Sequence, residues 1–225
     1  MPWRKSSLYG TLRALAAAVD LKAGYMPGHS DGVAYLMGLM AREAGYDPAT
    51  VERLELAALL HDLGKLQVPE VILTAQRRLT DEEFAIIRAH PQNSCNLVRT
   101  LEGLADVEEV ATWVLHHHEH WDGSGYPDGL TGENIPWPSR MILVADAFHV
   151  ITTDRPYQRS RTRIQALAIL REQTERQFCP FAVSLLESRH NWVPASPPLS
   201  APPTPIRQRT DAQPTDQPPS VRSRE

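Results

Sequence analysis

From Ser6 to His190 apolar residues return every three or four positions, and no alternating strand pair joined by a tight turn interrupts them. Leu8, Leu12, Leu15, Ala16 and Val19 make one stripe. Val33, Leu36, Met37, Met40 and Ala41 make a second, and Val51, Leu54, Ala57, Ala58 and Leu60 a third. Thr80-Asp81-Glu82-Glu83 has the pattern of a capping box, with Thr80 as N-cap and Glu83 at the third helical position. It should open a helix through Phe84, Ile87 and Arg88. Further helices are expected over 107–115, 139–151 and 162–175. The fold class is therefore all-α, a compact helical bundle. Residues 122–138 hold four glycines and three prolines and must form a loop.

From Pro194 onward Pro, Ser, Thr, Gln and Arg dominate, and apolar periodicity stops. Such a segment cannot offset its ordering entropy by burial, so a disordered tail is expected. The chain thus divides into an N-terminal helix (1–19), one helical domain (20–190) and a Pro-rich tail (191–225). With 225 residues there is enough chain for one domain with a substantial core. A net charge of −4 argues against DNA as a partner, because a general nucleic-acid binder carries a basic face. No apolar run is long enough for a membrane span. Met1-Pro2-Trp3-Arg4-Lys5 is not followed by the apolar stretch of a secretory leader. Cys95 and Cys179 are the only cysteines and lack metal or redox spacing, which suits a reducing, cytoplasmic location.

Chemistry concentrates in two segments. One is His61-Asp62-Leu63-Gly64-Lys65, at the end of the third apolar stripe. The other is His116-His117-His118-Glu119-His120-Trp121-Asp122-Gly123-Ser124-Gly125-Tyr126-Pro127. Neighbouring helical residues point about 100° apart, so His61 and Asp62 can approach one metal from two sides. Imidazole with carboxylate suits Mn, Fe, Zn or Ni better than Mg or Ca. Lys65 would lie near any bound phosphate as a point charge. Gly64 is expected to end the helix that carries His61.

With Val144-Ala145-Asp146, these two segments resemble the HD-GYP subgroup of the HD-domain phosphohydrolases. The resemblance runs from about Asp20 to about Ser188. It includes Gly28-His29-Ser30, Val68-Pro69, Leu79-Thr80, His90-Pro91 and Arg155-Pro156-Tyr157. It implies a compact helical HD domain with a Gly/Pro-rich GYP loop. The implied activity is metal-dependent hydrolysis of cyclic di-GMP to pGpG and/or GMP, in bacterial second-messenger signalling. The implied cofactor is two divalent metal ions, iron or manganese first, with nickel, cobalt or zinc as alternatives. Their ligands would be His29, His61, Asp62, His90, His117, His118 and Asp146. Asp62 would bridge the metals and position the attacking group. Lys65 and Arg155 would contact phosphate, and Tyr126 would line the ligand pocket. His116 is expected beside the ligands rather than among them, and Trp121 is expected to pack. Implied partners are cyclic di-GMP itself and signalling proteins such as diguanylate cyclases.

The chain also departs from that pattern. His149 stands where members usually carry a second aspartate, His120 and Gln158 replace basic residues, and Gly32 replaces an arginine. Tyr25 stands where three-metal members carry a glutamate, which limits the expectation to two metals. These departures define a second reading: a domain that binds cyclic di-GMP or a partner protein without turnover.

Overall fold

The computed structural model describes residues 7–24, 27–104, 106–154 and 159–188. Arg155, Gln158, Tyr25 and the tail from 191 lie outside these described residues. Ten α-helices follow one another in the described residues. They are α1 (Ser7–Lys22), α2 (His29–Glu43), α3 (Pro48–Leu60), α4 (Glu70–Leu73) and α5 (Asp81–Arg88). The second half comprises α6 (His90–Arg99), α7 (Val107–Leu115), α8 (Trp137–Thr152), α9 (Arg163–Glu172) and α10 (Pro180–Ser188). A single bridge between Thr174 and Phe178 is the only β-pairing among the described residues. The all-α expectation holds.

The helices begin where local chemistry supplies caps. Asp47 accepts from the backbone N–H groups of Ala49 and Thr50, and Pro48 sits at the start of α3, where its missing N–H costs nothing. Thr80 and Glu83 form the expected capping box on α5, and Thr162 and Gln165 form another on α9. Helix α2 is different. Its N-cap is Gly28, at φ 80°, which has no side chain to offer. The buried carboxylate of Asp20 on α1 serves instead, accepting from Ser30 N (3.1 Å) and Ser30 Oγ (2.7 Å). A neighbouring helix thus neutralises the start of the helix that presents His29.

The core is built where α2 packs on α3 and α8, with α10 closing one side. Met37, Met40, Leu54, Leu56, Leu59, Leu60, Met141, Ile142, Leu170 and Leu186 are fully buried there. Each such side chain contributes roughly 1.5–3 kcal/mol of burial free energy. Leu12, Ala16 and Val19 of α1 join the same cluster, so the first apolar stripe is part of this core. No helix among the described residues is long and apolar enough to cross a membrane.

Two local expectations need correction. Helix α8 starts at Trp137 rather than Ser139, because Pro136 precedes it and Pro138 fits its first turn, so the loop is shorter than 122–138. Gly64 does not end α3. That helix stops at Leu60, and Gly64 lies inside a 3-10 turn, Leu63–Gln67, that packs on α6. Its N–H donates to Ser94 Oγ at 2.7 Å, and a Cβ there would collide with the His90 carbonyl and come within 2.6 Å of Ser94 N. Glycine is required by close approach of two backbones, not by a left-handed cap.

Gly64→Ala should therefore lower stability by roughly 1–3 kcal/mol, since backbone on both sides must move. A wild-type melting curve for this variant would remove the argument. The capping box carries a pH signature. Glu83, beside Arg77 and the Thr80 N–H, is drawn down from 4.5 to about 2. A depressed carboxylate stabilises the fold above its unfolded pKa and loses that stabilisation as pH falls through the folded one. Acid titration of stability should accordingly lose its step between pH 4.5 and 2 in Glu83→Gln.

Candidate metal centre

Four helix ends and one helix face converge on a single buried point. His61 and Asp62 follow α3, His90 opens α6, and His117 and His118 follow α7. His29 opens α2, and Asp146 projects from the middle of α8. Helix ends suit this task because the chain direction changes there, letting side chains from separate helices point inward.

Three of the histidines are held in the same way. His61 Nδ1 lies 2.6 Å from the carbonyl of Ala58, His90 Nδ1 lies 2.8 Å from that of Ile87, and His117 Nδ1 lies 2.5 Å from that of Val114. A carbonyl only accepts, so each Nδ1 carries the hydrogen. In the neutral imidazole each Nε2 is then a lone pair aimed at the centre. Metal-ligating histidines are oriented by this kind of partner on the other ring nitrogen. The carbonyl is always three residues back, in the preceding turn.

Asp62 sits between two groups. Its Oδ1 lies 3.2 Å from His90 Nε2, while its Oδ2 lies 3.3 Å from His61 Nε2 and 3.7 Å from His29 Nε2. On one side His90, His117 and His118 bring their ligand atoms within 4.8 Å of one another. On the other side His29, His61 and Asp146 do the same, with His29 Nε2 3.3 Å from Asp146 Oδ1. All seven expected ligands are thus brought together. The donor set fits divalent transition metals: imidazole and carboxylate, with His61 Nε2 and Asp62 Oδ1 buried and lacking a hydrogen-bond partner among the described residues.

Electrostatics reflect this crowding. Burial lowers His29 to about 4, despite the nearby Asp146, and it drives His117 and His118 well below the usual imidazole range. For His61 burial acts downward too, but Asp62 outweighs it and lifts the ring to about 8. Burial would raise Asp62, yet His61 and Lys65 hold it well below the ordinary carboxylate value. Lys65, in the 3-10 turn, donates to Asp62 Oδ2 at 2.5 Å. A cavity of about 80 Å³ opens beside this pair, lined by Asp20, His29, Asp62, Lys65, Asp146 and Val150.

The loop after α7 closes the other side. Tyr126 stacks on His118 with ring centres 4.9 Å apart, and the Arg88 guanidinium lies 4.7 Å from its centre. Burial pushes the Tyr126 hydroxyl up to about 12. Trp121 packs against the core, as expected. His116 is buried but faces away from the ligands, with Nδ1 3.7 Å from both Glu119 and Asp128. Sequence reasoning missed Glu119 and Asp20. Glu119 is fully buried and accepts from the N–H groups of Asp128 (2.7 Å) and Leu130 (3.1 Å), which ties the loop beneath the site. Its place inside the histidine run was the available signal; Asp20 carried none. Glu119→Ala should leave two loop amides without their acceptor, at roughly 1–3 kcal/mol. Hydrogen exchange at Asp128 and Leu130 should accelerate; unchanged protection would show that the loop is held otherwise.

Comparison with known proteins agrees with this architecture. Residues 13–180 match the HD domain family. A cyclic di-GMP phosphodiesterase response regulator of Xanthomonas campestris is 36% identical over 78% of this chain and 46% of its own length. A cyclic di-GMP phosphodiesterase of Pseudomonas aeruginosa is 40% identical over 71% of this chain and 38% of its own. A 3'3'-cGAMP-specific phosphodiesterase of Vibrio cholerae is 38% identical over 71% of this chain and 36% of its own. The chain therefore spans less than half the length of these relatives. Among solved structures, an HDG"Y"P protein of Bdellovibrio bacteriovorus superposes with a TM-score of 0.58 at 22% identity, over 73% of this chain and 52% of that one. The family match over most of the described helices, the relatives and the shared fold lead to one conclusion: the chain belongs to the HD-domain family.

Proposed function

We propose that this chain is the catalytic unit of a metal-dependent phosphodiesterase that hydrolyses cyclic di-GMP to pGpG and/or GMP. The observation that carries the reading is the placement of Asp62, whose two carboxylate oxygens face two separate histidine-rich groups. His90, His117 and His118 would hold one divalent ion, and His29, His61 and Asp146 the other, with Asp62 shared. When bound, such a pair supplies a water-derived nucleophile at neutral pH and stabilises charge developing at phosphorus. Iron and manganese are the metals this reading favours.

The chain's own residues perform the rest. Ala58, Ile87 and Val114 fix three imidazoles in the tautomer that presents Nε2. Lys65 keeps Asp62 ionised and places a cation at the cavity, where a phosphodiester would lie. Tyr126, stacked on His118, offers an aromatic wall on the loop side. Arg155 belongs to the same proposal as a phosphate-contacting residue. The functional unit of this reading is 20–190, the segment that supplies every proposed ligand, and its buried free thiols Cys95 and Cys179 suit the cytoplasm.

A second substrate has a specific observation behind it: one relative of comparable similarity is named as 3'3'-cGAMP-specific. Both cyclic dinucleotides are therefore the substrates to offer. Protein purified anaerobically and supplied with iron or manganese should yield linear dinucleotide or mononucleotide on chromatography. Chelation should stop turnover and metal should restore it. Asp62→Ala should reduce turnover by about 100-fold or more, beyond the effect of losing a residue that only supports a ligand. Unchanged hydrolysis in that variant would defeat the mechanism. A folded, metal-loaded protein that binds dinucleotide but forms no product over hours would establish the non-hydrolysing binder instead.

A further inference from the structure

The orientation of His29 poses a problem that His61, His90 and His117 do not share. His61, His90 and His117 are each fixed by a carbonyl three residues back. His29 is the first residue of α2 and follows Gly28 at φ 80°, and among the described residues no carbonyl anchors its Nδ1. Its anchor comes from another helix. His149, one turn beyond Asp146 on α8, places Nδ1 3.2 Å from His29 Nδ1, with the rings 66° apart.

Two ring nitrogens can hydrogen-bond only when one carries the hydrogen and the other a lone pair. His29 Nε2 faces Asp146 and Asp62 and must be a lone pair to serve as a ligand. The hydrogen of neutral His29 is then on Nδ1, donated to His149. His149 accepts at Nδ1 and carries its own hydrogen on Nε2. That second nitrogen lies against Gly32, where a Cβ would overlap Nε2 and Cδ2 of the imidazole. Gly32 is inside α2, where glycine is a poor helix former, so its presence calls for a reason.

We propose that His149 is the positioning residue for His29, and that position 32 is glycine because the His149 imidazole occupies the space a side chain would need. The inference rests on the metal-centre reading above and extends it to two residues outside the ligand set. It predicts that the two positions act as one unit. Losing either should free the His29 ring and weaken metal binding on the His29 side.

The test is metal affinity of the metal-free protein, measured with manganese by competition against a chromogenic chelator. His149→Ala and Gly32→Ala should each weaken one bound equivalent by about 10–100-fold, the usual cost of losing a partner that orients a ligand. His149→Asn should retain affinity within a few-fold, because its amide oxygen can accept near the position of Nδ1. Gly32→Ala should add little in the His149→Ala background, since residues in one network are not additive. Wild-type affinity in His149→Ala would overturn the inference, as would an equal Gly32→Ala penalty in both backgrounds or an asparagine variant as weak as the alanine one. Helical circular dichroism of the metal-free variants checks folding. If Gly32→Ala fails to fold, the alanine and asparagine variants at 149 decide alone. A wild type that binds no metal would defeat the metal-centre reading itself, whereas normal wild-type binding with an indifferent His149 defeats only this inference.

Discussion

The architecture depends on keeping one buried carboxylate ionised. Asp62 is 4% exposed, and an unpaired carboxylate in such a place would take up a proton. Lys65 and His61 prevent that. The cost of burying this polar cluster is offset by the surrounding helices. The apolar interface of α2, α3 and α8 lies alongside, and its fully buried Met and Leu side chains are what keep the polar centre closed. Stability and site are thus supplied by different faces of the same helices.

Orientation is enforced by backbone groups and distant side chains in preference to the ligands themselves. Carbonyls of the preceding turns select the tautomer at His61, His90 and His117. Asp20 fixes the start of α2, and Glu119 fixes the loop that carries Tyr126. Hydrogen-bonded neighbours of this kind decide whether a set of donors presents the geometry a metal requires. They also explain why α2, which starts without a capping side chain, can still aim His29 inward.

Much of this was legible in the residues. Helical stripes such as Val33-Leu36-Met37-Met40 and caps such as Thr80/Glu83 are local signals, and the helices they mark are present. The seven expected ligands could be named because the resemblance to the HD-GYP subgroup implies them, and their side chains converge. Gly64 and the start of α8 were misread for physical reasons. A glycine needed for close approach has the same letter as one needed for a left-handed turn. A proline acceptable in a first helical turn has the same letter as one in a loop.

The sequence by itself determined the helical class and the positions of most helices, because periodicity and capping are properties of neighbouring residues; the expected donors followed from the family resemblance that its motifs carry. Only the tertiary structure decided which donors share a group, that Asp62 presents one oxygen to each, and that Lys65 pairs with it. It alone joined Asp20 to Ser30, Glu119 to Asp128 and His149 to His29 across Gly32. Contacts of this sort depend on how helix ends far apart in the chain meet in space, and no local pattern records that distance.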